Sequence, residues 1–215
     1  MLFTFEDVIT VGLQSGWILA QIIAGLLIAD FVSGLLHWME DRYGGPSWPV
    51  VGRLIRSTVR HHKRPRGMTT SPFWRRNGPT MFIAGMFAMV FLLLGWINPL
   101  TVTGVLFGAF ANEFHNWSHR KASENGPIIT VLQNVGLIIS PLEHARHHRG
   151  RKNTHYCAVT GWMNAPLESI RFWRRLEVLI RISFGERPRR DPSLKAYRAR
   201  QASQSLQTVS LKSIS

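Results

Sequence analysis

The chain alternates between long stretches without charge and short segments dense in histidine and arginine. Gly16 to Trp38 reads GWILAQIIAGLLIADFVSGLLHW, with Asp30 its only charge. It is long enough to cross a hydrocarbon core of about 30 Å at 1.5 Å per residue, which predicts a spanning helix. A second block, Asn77 to Asn112, holds no charged residue and is too long for one crossing; it is broken at Asn98-Pro99, where proline disfavours a helical residue before it. The block therefore predicts a hairpin of two helices, Pro79 to Trp96 and Pro99 to about His119. Pro127 to Ser140 is apolar too, but only about half to two thirds of a span, so it is expected to dip into the membrane or lie buried beside the other helices.

Glu168 to Phe184 interleaves Ile170, Phe172, Trp173, Leu176, Leu179 and Ile180 with Arg171, Arg174, Arg175 and Arg181, the pattern of a basic amphipathic helix lying along the lipid surface. After Arg187-Pro188 the chain turns polar, and Gln201 to Ser215 lacks apolar periodicity, which predicts disorder. The domain reading is thus 1–190 as one membrane domain and 191–215 as a polar tail. Together these elements give an all-α integral membrane fold: about three spanning helices, a short re-entrant or buried fourth segment, a histidine-rich cytoplasmic cap and the amphipathic C-terminal helix.

Charge orients this arrangement. The net charge is +14 over 215 residues, yet no Lys or Arg precedes Arg42, so the segment before the first apolar run lacks the basic region of a cleavable signal. Nine basic residues lie between Arg42 and Arg76, Arg120 and Lys121 follow the second hairpin helix, and the chain after Arg146 is rich in them. The positive-inside rule puts all of these on the cytoplasmic face and the Asn98-Pro99 turn outside. Membrane topology accounts for the charge, and no nucleic-acid motif accompanies it, so no nucleic-acid partner is expected. The cluster Arg60, Lys63, Arg64, Arg66, Arg75 and Arg76 reads as orientation and anionic-lipid contact, with a phosphate headgroup as a second use.

Histidine is the unusual residue. His37, with Asp41 one turn later, ends the first helix; His61 and His62 are adjacent; His115 and His119 share a helix face, as do His144, His147 and His148. These eight of nine histidines fall in four clusters, all on one predicted face of the membrane. Buried together, they would be costly to desolvate and mutually repulsive if protonated unless a cation held them. Eight exceed what one catalytic zinc uses, and about four nitrogens per ion suit two five- or six-coordinate first-row metals. Imidazole alone leaves iron and zinc open; a lipid chain with an unactivated C–H bond argues for iron. The single cysteine, Cys157, rules out a disulfide framework or cysteine zinc cluster and reads as a small buried apolar residue. Asp30 should face the protein interior, bonded to a metal-binding histidine or to another helix. Trp38, Trp48, Trp74, Trp96, Trp117 and Trp162 fit interfacial anchoring.

The strings DFVSGLLHWMEDRYG (Asp30 to Gly44), RHHKRP, HNWSHR, SPLEHARHH and HYCAVTGWMNAPLESIRFWRRLE (His155 to Glu177) resemble the plasmanylethanolamine desaturase family, which includes bacterial light-response members and a plant plastid branch acting on phosphatidylglycerol. The resemblance covers about Asp30 to Asp191, and the last string favours the plasmalogen branch. It implies that His37, His61, His62, His115, His119, His144, His147 and His148 ligate two irons, with Asp41 and Asn112 as further ligands or as groups orienting them; His155 is left outside the site. It also implies O2 as co-substrate, an ether phospholipid substrate among membrane lipids, vinyl-ether formation, and electrons from an acidic donor such as cytochrome b5 or ferredoxin. The location implied is the inner membrane in a bacterium or the endoplasmic reticulum in a eukaryote. Rival readings are an acyl-lipid desaturase or hydroxylase of the same type, a zinc-dependent membrane hydrolase, and a non-enzymatic light- or stress-signalling membrane protein.

Overall fold

The computed structural model describes residues 5–43, 45, 48–49, 52–149 and 152–189. Among these residues every regular element is helical: α1 (Phe5–Arg42), α2 (Gly52–Lys63), α3 (Phe73–Leu93), α4 (Pro99–Ala109), α5 (Ala111–Ser118), α6 (Ala122–Asn134), α7 (Pro141–His148), α8 (Asn164–Ser169) and α9 (Phe172–Phe184), with a 3-10 turn at Pro65–Met68. Two helices, α1 and α3, are long and apolar enough to cross a membrane; α4 is apolar but shorter. The tail reading for 191–215 lies outside the described residues.

The first predicted span is the middle of a longer helix. Nothing before Gly16 breaks a helix, and a helix need not stop where the hydrocarbon does, so α1 continues upstream to Phe5. Its residues 10–20 stand exposed, while Gly25 packs against α4: a Cβ there would sit 2.5 Å from the Leu100 carbonyl and 2.9 Å from Thr103 Cβ. Small residues permit such close helix crossings in lipid.

The hairpin forms at the predicted break. Asn98 Oδ1 accepts from the Leu100 and Thr101 N–H groups, both at 3.1 Å, and Pro99 opens α4. Two of its boundaries differ from expectation. Helix α3 begins at Phe73 and runs through Pro79, whose turn is bridged by Thr80 Oγ1 donating to the Asn77 carbonyl (2.9 Å). The second hairpin helix is not continuous to His119. The one Thr80 hydroxyl proton is shared with the Ala109 carbonyl (2.9 Å), and Glu113 N–H bonds Phe110 instead, so the chain bends between α4 and α5.

The fourth apolar run is helical in α6 after a kink at Gly126, where φ is +75°, and ends in a turn at Gly136. It is not enclosed: Ile128, Val131, Val135 and Leu137 are exposed, while Ile138 and Ile139 are buried. The predicted C-terminal helix is divided at Arg171 into α8 and α9. Trp173 of α9 is buried against Trp38 and Tyr156, with Leu176 and Ile180 packed on the same cluster, so α9 is docked on the protein; Val178, Leu179, Ile182 and Phe184 remain exposed with Arg174, Arg175 and Arg181. Trp38, only 3% exposed, is therefore core and not an interfacial anchor. Trp48, Trp74, Trp96 and Trp162 are exposed as that reading requires.

Candidate metal centre

Four helix ends meet at one end of the molecule. The C-terminal turn of α1 brings His37 and Asp41, the last turn of α2 brings His61 and His62, α5 brings His115 with His119 as its C-cap, and α7 brings His144, His147 and His148. All eight histidines predicted as ligands converge there, in two adjoining groups. His61, His115, His119, His144 and His148 form one; His37, Asp41, His62 and His147 form the other. Neighbouring residues on a helix point about 100° apart, and this divides the adjacent pair His61 and His62 between the groups. The HxxHH run is divided as well: His144 and His148, four apart, join the first group, and His147 turns to the second. The groups touch through His37, whose ring centroid lies 5.2 Å from that of His115 and 4.5 Å from that of His147.

In the five-histidine group Nε2 atoms face one another: His61 to His148 at 3.1 Å, His61 to His119 at 3.1 Å, and His148 to His144 at 3.0 Å. In the second, His62 Nε2 lies 2.7 Å from Asp41 Oδ1, and His147 Nε2 and His37 Nε2 lie 3.4 and 3.8 Å from Asp41 Oδ2. Main-chain acceptors fix two ring orientations. His37 Nδ1–H donates to the Tyr156 carbonyl (3.1 Å), and His147 Nδ1–H donates to the Thr154 carbonyl (2.8 Å), which turns each Nε2 lone pair inward.

The donor atoms fit metal ions. Nε2 of His37, His115 and His147 and Oδ2 of Asp41 are buried without a hydrogen-bond partner, a state that costs roughly 1–3 kcal/mol per group unless something else satisfies it. Burial and the surrounding imidazoles hold His61, His144 and His148 well below the ordinary histidine value, so their rings are neutral with lone pairs available. Eight imidazoles and one carboxylate suit a borderline first-row ion better than magnesium or calcium, which favour oxygen.

The remaining candidates fall outside both groups. Asn112 Nδ2 donates to the Arg76 carbonyl (2.8 Å) and ties α5 to α3. His155 lies 3.9 Å from Glu143 and in close contact with Thr154. Asp30 bonds neither a histidine nor another helix. Its Oδ1 accepts from the N–H groups of Val159 (3.0 Å), Thr160 (2.9 Å) and Gly161 (3.1 Å), and its Oδ2 from Met163 (3.0 Å). Arg76 leaves the basic surface cluster for a buried pair with Glu113 at 2.6 Å, joined by Asn77 and Asn116. Sequence reasoning passed over Glu113, although a lone carboxylate two residues before His115 and at the edge of a charge-free block is a visible signal. The Tyr156 and Thr154 carbonyls carry no side-chain signal at all.

A membrane-embedded helical scaffold with paired histidine groups at one end defines the class. The lipid desaturase domain model matches residues 26–191, and the chain belongs to that family. It is 37% identical over 196 residues to plasmanylethanolamine desaturase 1 of Mus musculus, covering 81% of this chain and 69% of the mouse protein. It is 37% identical to plasmanylethanolamine desaturase of Myxococcus xanthus (81% of this chain, 64% of that protein) and 36% identical to fatty acid desaturase 4-like 1, chloroplastic, of Arabidopsis thaliana (77% and 57%). The matches thus span between just over half and about seven tenths of these relatives. No solved structure matches this chain. Family and apolar helices together make it a membrane protein of the lipid-desaturase class of oxidoreductases, acting on lipid.

Proposed function

We propose that this protein introduces the vinyl-ether double bond of plasmalogens into an alkyl-ether phospholipid, using two irons and O2. The observation that carries the reading is the pair of adjoining histidine groups in a chain 37% identical to two plasmanylethanolamine desaturases. His61, His115, His119, His144 and His148 hold one ion, and His37, Asp41, His62 and His147 the other. Five imidazoles converging in one group exceed the four ligands a tetrahedral zinc takes, which supports higher-coordinate ions.

The ions supply the O2-activating redox chemistry that breaks unactivated C–H bonds. Overall, two hydrogens leave adjacent carbons, O2 becomes water, and the missing electrons and protons come from outside the chain. The residues do the positioning. Tyr156 and Thr154 carbonyls fix His37 and His147, Asp41 adds negative charge against the ions, and the helix packing keeps water from the buried donors. Residues 1–190 form the desaturase domain and 191–215 a polar tail. The basic residues around the site support a cytoplasmic position for it, at the bacterial inner membrane or the endoplasmic reticulum, with α4 and α5 completing a third crossing and α6 dipping into the lipid. That face suits an acidic donor such as cytochrome b5 or ferredoxin.

Expression in a plasmalogen-deficient host supplied with alkyl-ether lipid tests the reading. Acid-labile vinyl-ether lipid and about two irons per chain are expected, and His144→Ala should abolish the product. The 36% identity to a plastid fatty acid desaturase favours acyl-chain desaturation as a second reading, and the same lipid mass spectra separate the two. About one zinc per chain with no iron would overturn both.

A further inference from the structure

Only one of the two histidine groups borders the groove beside the site. A cavity of about 270 Å³ reaches His119, His144 and His148 of the five-histidine group, and none of His37, Asp41, His62 and His147 lines it. Arg66, Arg120 and Lys121 also line it. Arg66 pairs with Glu124 (2.7 Å), which also accepts from the Lys121 backbone N–H (2.7 Å), and no carboxylate stands among the groove's described lining residues. The groove is therefore positive at its polar rim. The groove also has apolar lining, from Pro65, Pro141 and Ala145, and Leu142, next to Pro141, is exposed. Apolar lining combined with cations matches an amphiphile lying at a membrane boundary, and the volume is that of a small-molecule site, too small for a folded partner.

We propose that this groove seats the phosphodiester of the lipid substrate, with Arg120 and Lys121 bonding the phosphate oxygens and the attached chain running on toward His144. The proposal rests on the lipid-desaturase reading. It moves the phosphate contact from the wider basic cluster to Arg120 and Lys121, because within that cluster Arg76 is consumed by Glu113, Arg66 is paired with Glu124, and Arg75 lies outside the groove. A phosphate held at the rim would fix the distance between headgroup and reacting carbons, a means of choosing which bond is presented.

The test measures equilibrium binding of an alkyl-acyl-glycerophosphoethanolamine and of the phosphate-free alkyl-acyl-glycerol to full-length, metal-loaded protein in detergent. Wild type should bind the phospholipid at least about tenfold more tightly than the neutral lipid, the worth of charge-assisted hydrogen bonds. The double variant Arg120→Gln/Lys121→Gln should lose that preference, Arg120→Lys should keep most of it, and Arg75→Gln should match wild type. Unchanged preference in the double variant overturns the proposal. So does inorganic phosphate binding as tightly as the phospholipid, which would make this a free-phosphate site. Where the double variant fails to retain metal, competition on wild type decides: glycerophosphoethanolamine should displace the phospholipid but not the neutral lipid, and no displacement overturns the proposal. Turnover with a chemical reductant supplies the third arm. A rise in KM for phospholipid is expected; a defect seen only with a protein donor would mark the rim as a donor surface and refute the assignment. Phosphate-dependent binding by a wild type that desaturates no lipid would sink the functional reading and leave the groove assignment standing.

Discussion

A carboxylate in the middle of an apolar helix is expensive, and Asp30 is 0% exposed. Its charge is stabilised by four main-chain N–H groups of the segment 159–163, which it pulls onto α1. Just before that segment, at positions 154 and 156, come the carbonyls that orient His147 and His37. Removing the carboxylate thus reaches the second histidine group without touching it. Asp30→Ala leaves four buried N–H groups unpaired and should cost roughly 3 kcal/mol or more; Asp30→Asn keeps one acceptor oxygen and should cost about 1–3 kcal/mol. Thermal unfolding in detergent would rank the variants, and metal per chain should fall in the same order; an Asp30→Ala protein as stable as wild type would contradict this account. The sequence placed Asp30 in the interior but could not name its partner, because a backbone N–H some 130 positions away has no side-chain signature. The nitrogen-bearing residues were legible for the opposite reason: each histidine displays its chemistry in its identity, and helical spacing does the rest.

At the scale of elements, the site depends on how closely the 156–158 segment approaches α1. A Cβ built on Gly34 would lie 2.6 Å from Cys157 Sγ, 3.1 Å from Cys157 N and 3.2 Å from Cys157 Cα, so hydrogen is the only side chain that fits without moving the segment. Gly34→Ala should push Tyr156 away from His37, lower stability by about 1–3 kcal/mol, and reduce metal retention. Adding Cys157→Ala should rescue only part of this, since the backbone contacts remain. Cys157 is buried, burial pushes its thiol up, and it should resist thiol reagents until the protein unfolds. Full rescue of Gly34→Ala by Cys157→Ala would show the backbone contact to be immaterial. Charge-free length and the Asn98-Pro99 signal made α1 and the hairpin turn readable. The bend between α4 and α5 was not, because no proline or glycine occupies Phe110; it arises from Thr80, thirty positions earlier, taking the Ala109 carbonyl out of the helical ladder. The docking of α9 was hidden in the same way: amphipathic periodicity marks an apolar face but not whether lipid or Trp38 covers it.

For the whole molecule, the histidine set was visible from topology, since every cluster lies next to a predicted membrane boundary. Its division into five and four ligands was not, because helical spacing separates neighbouring rings without saying which group each one joins, and that depends on how the helices pack. Thr58 Oγ1 donating to Glu40 (2.6 Å), one turn before His61 and His62, ties α2 to α1. Concentrating so many rings in one buried place makes folding sensitive to acid. His61, His144 and His148 are held well below 6.5, first by burial and then by neighbouring histidines, whereas in the unfolded chain each titrates near 6.5. Below that pH the unfolded chain takes up protons that the folded protein refuses, so protonation draws the equilibrium toward unfolding; above it neither state binds them and nothing is lost. The metal-free protein should therefore hold a steady melting temperature from about pH 8 to about pH 7 and lose it progressively from about pH 6.5 to about pH 5. Replacing His148 by Leu removes one such group and should make that decline shallower. Saturating metal binds rings that are neutral in the folded protein across this range, so it should raise the melting temperature at every pH and leave the acid decline in place. Thermal scans of chelated and metal-loaded protein across this range would check both slopes, and a chelated protein whose stability rises on acidification would contradict the buried, neutral histidine cluster.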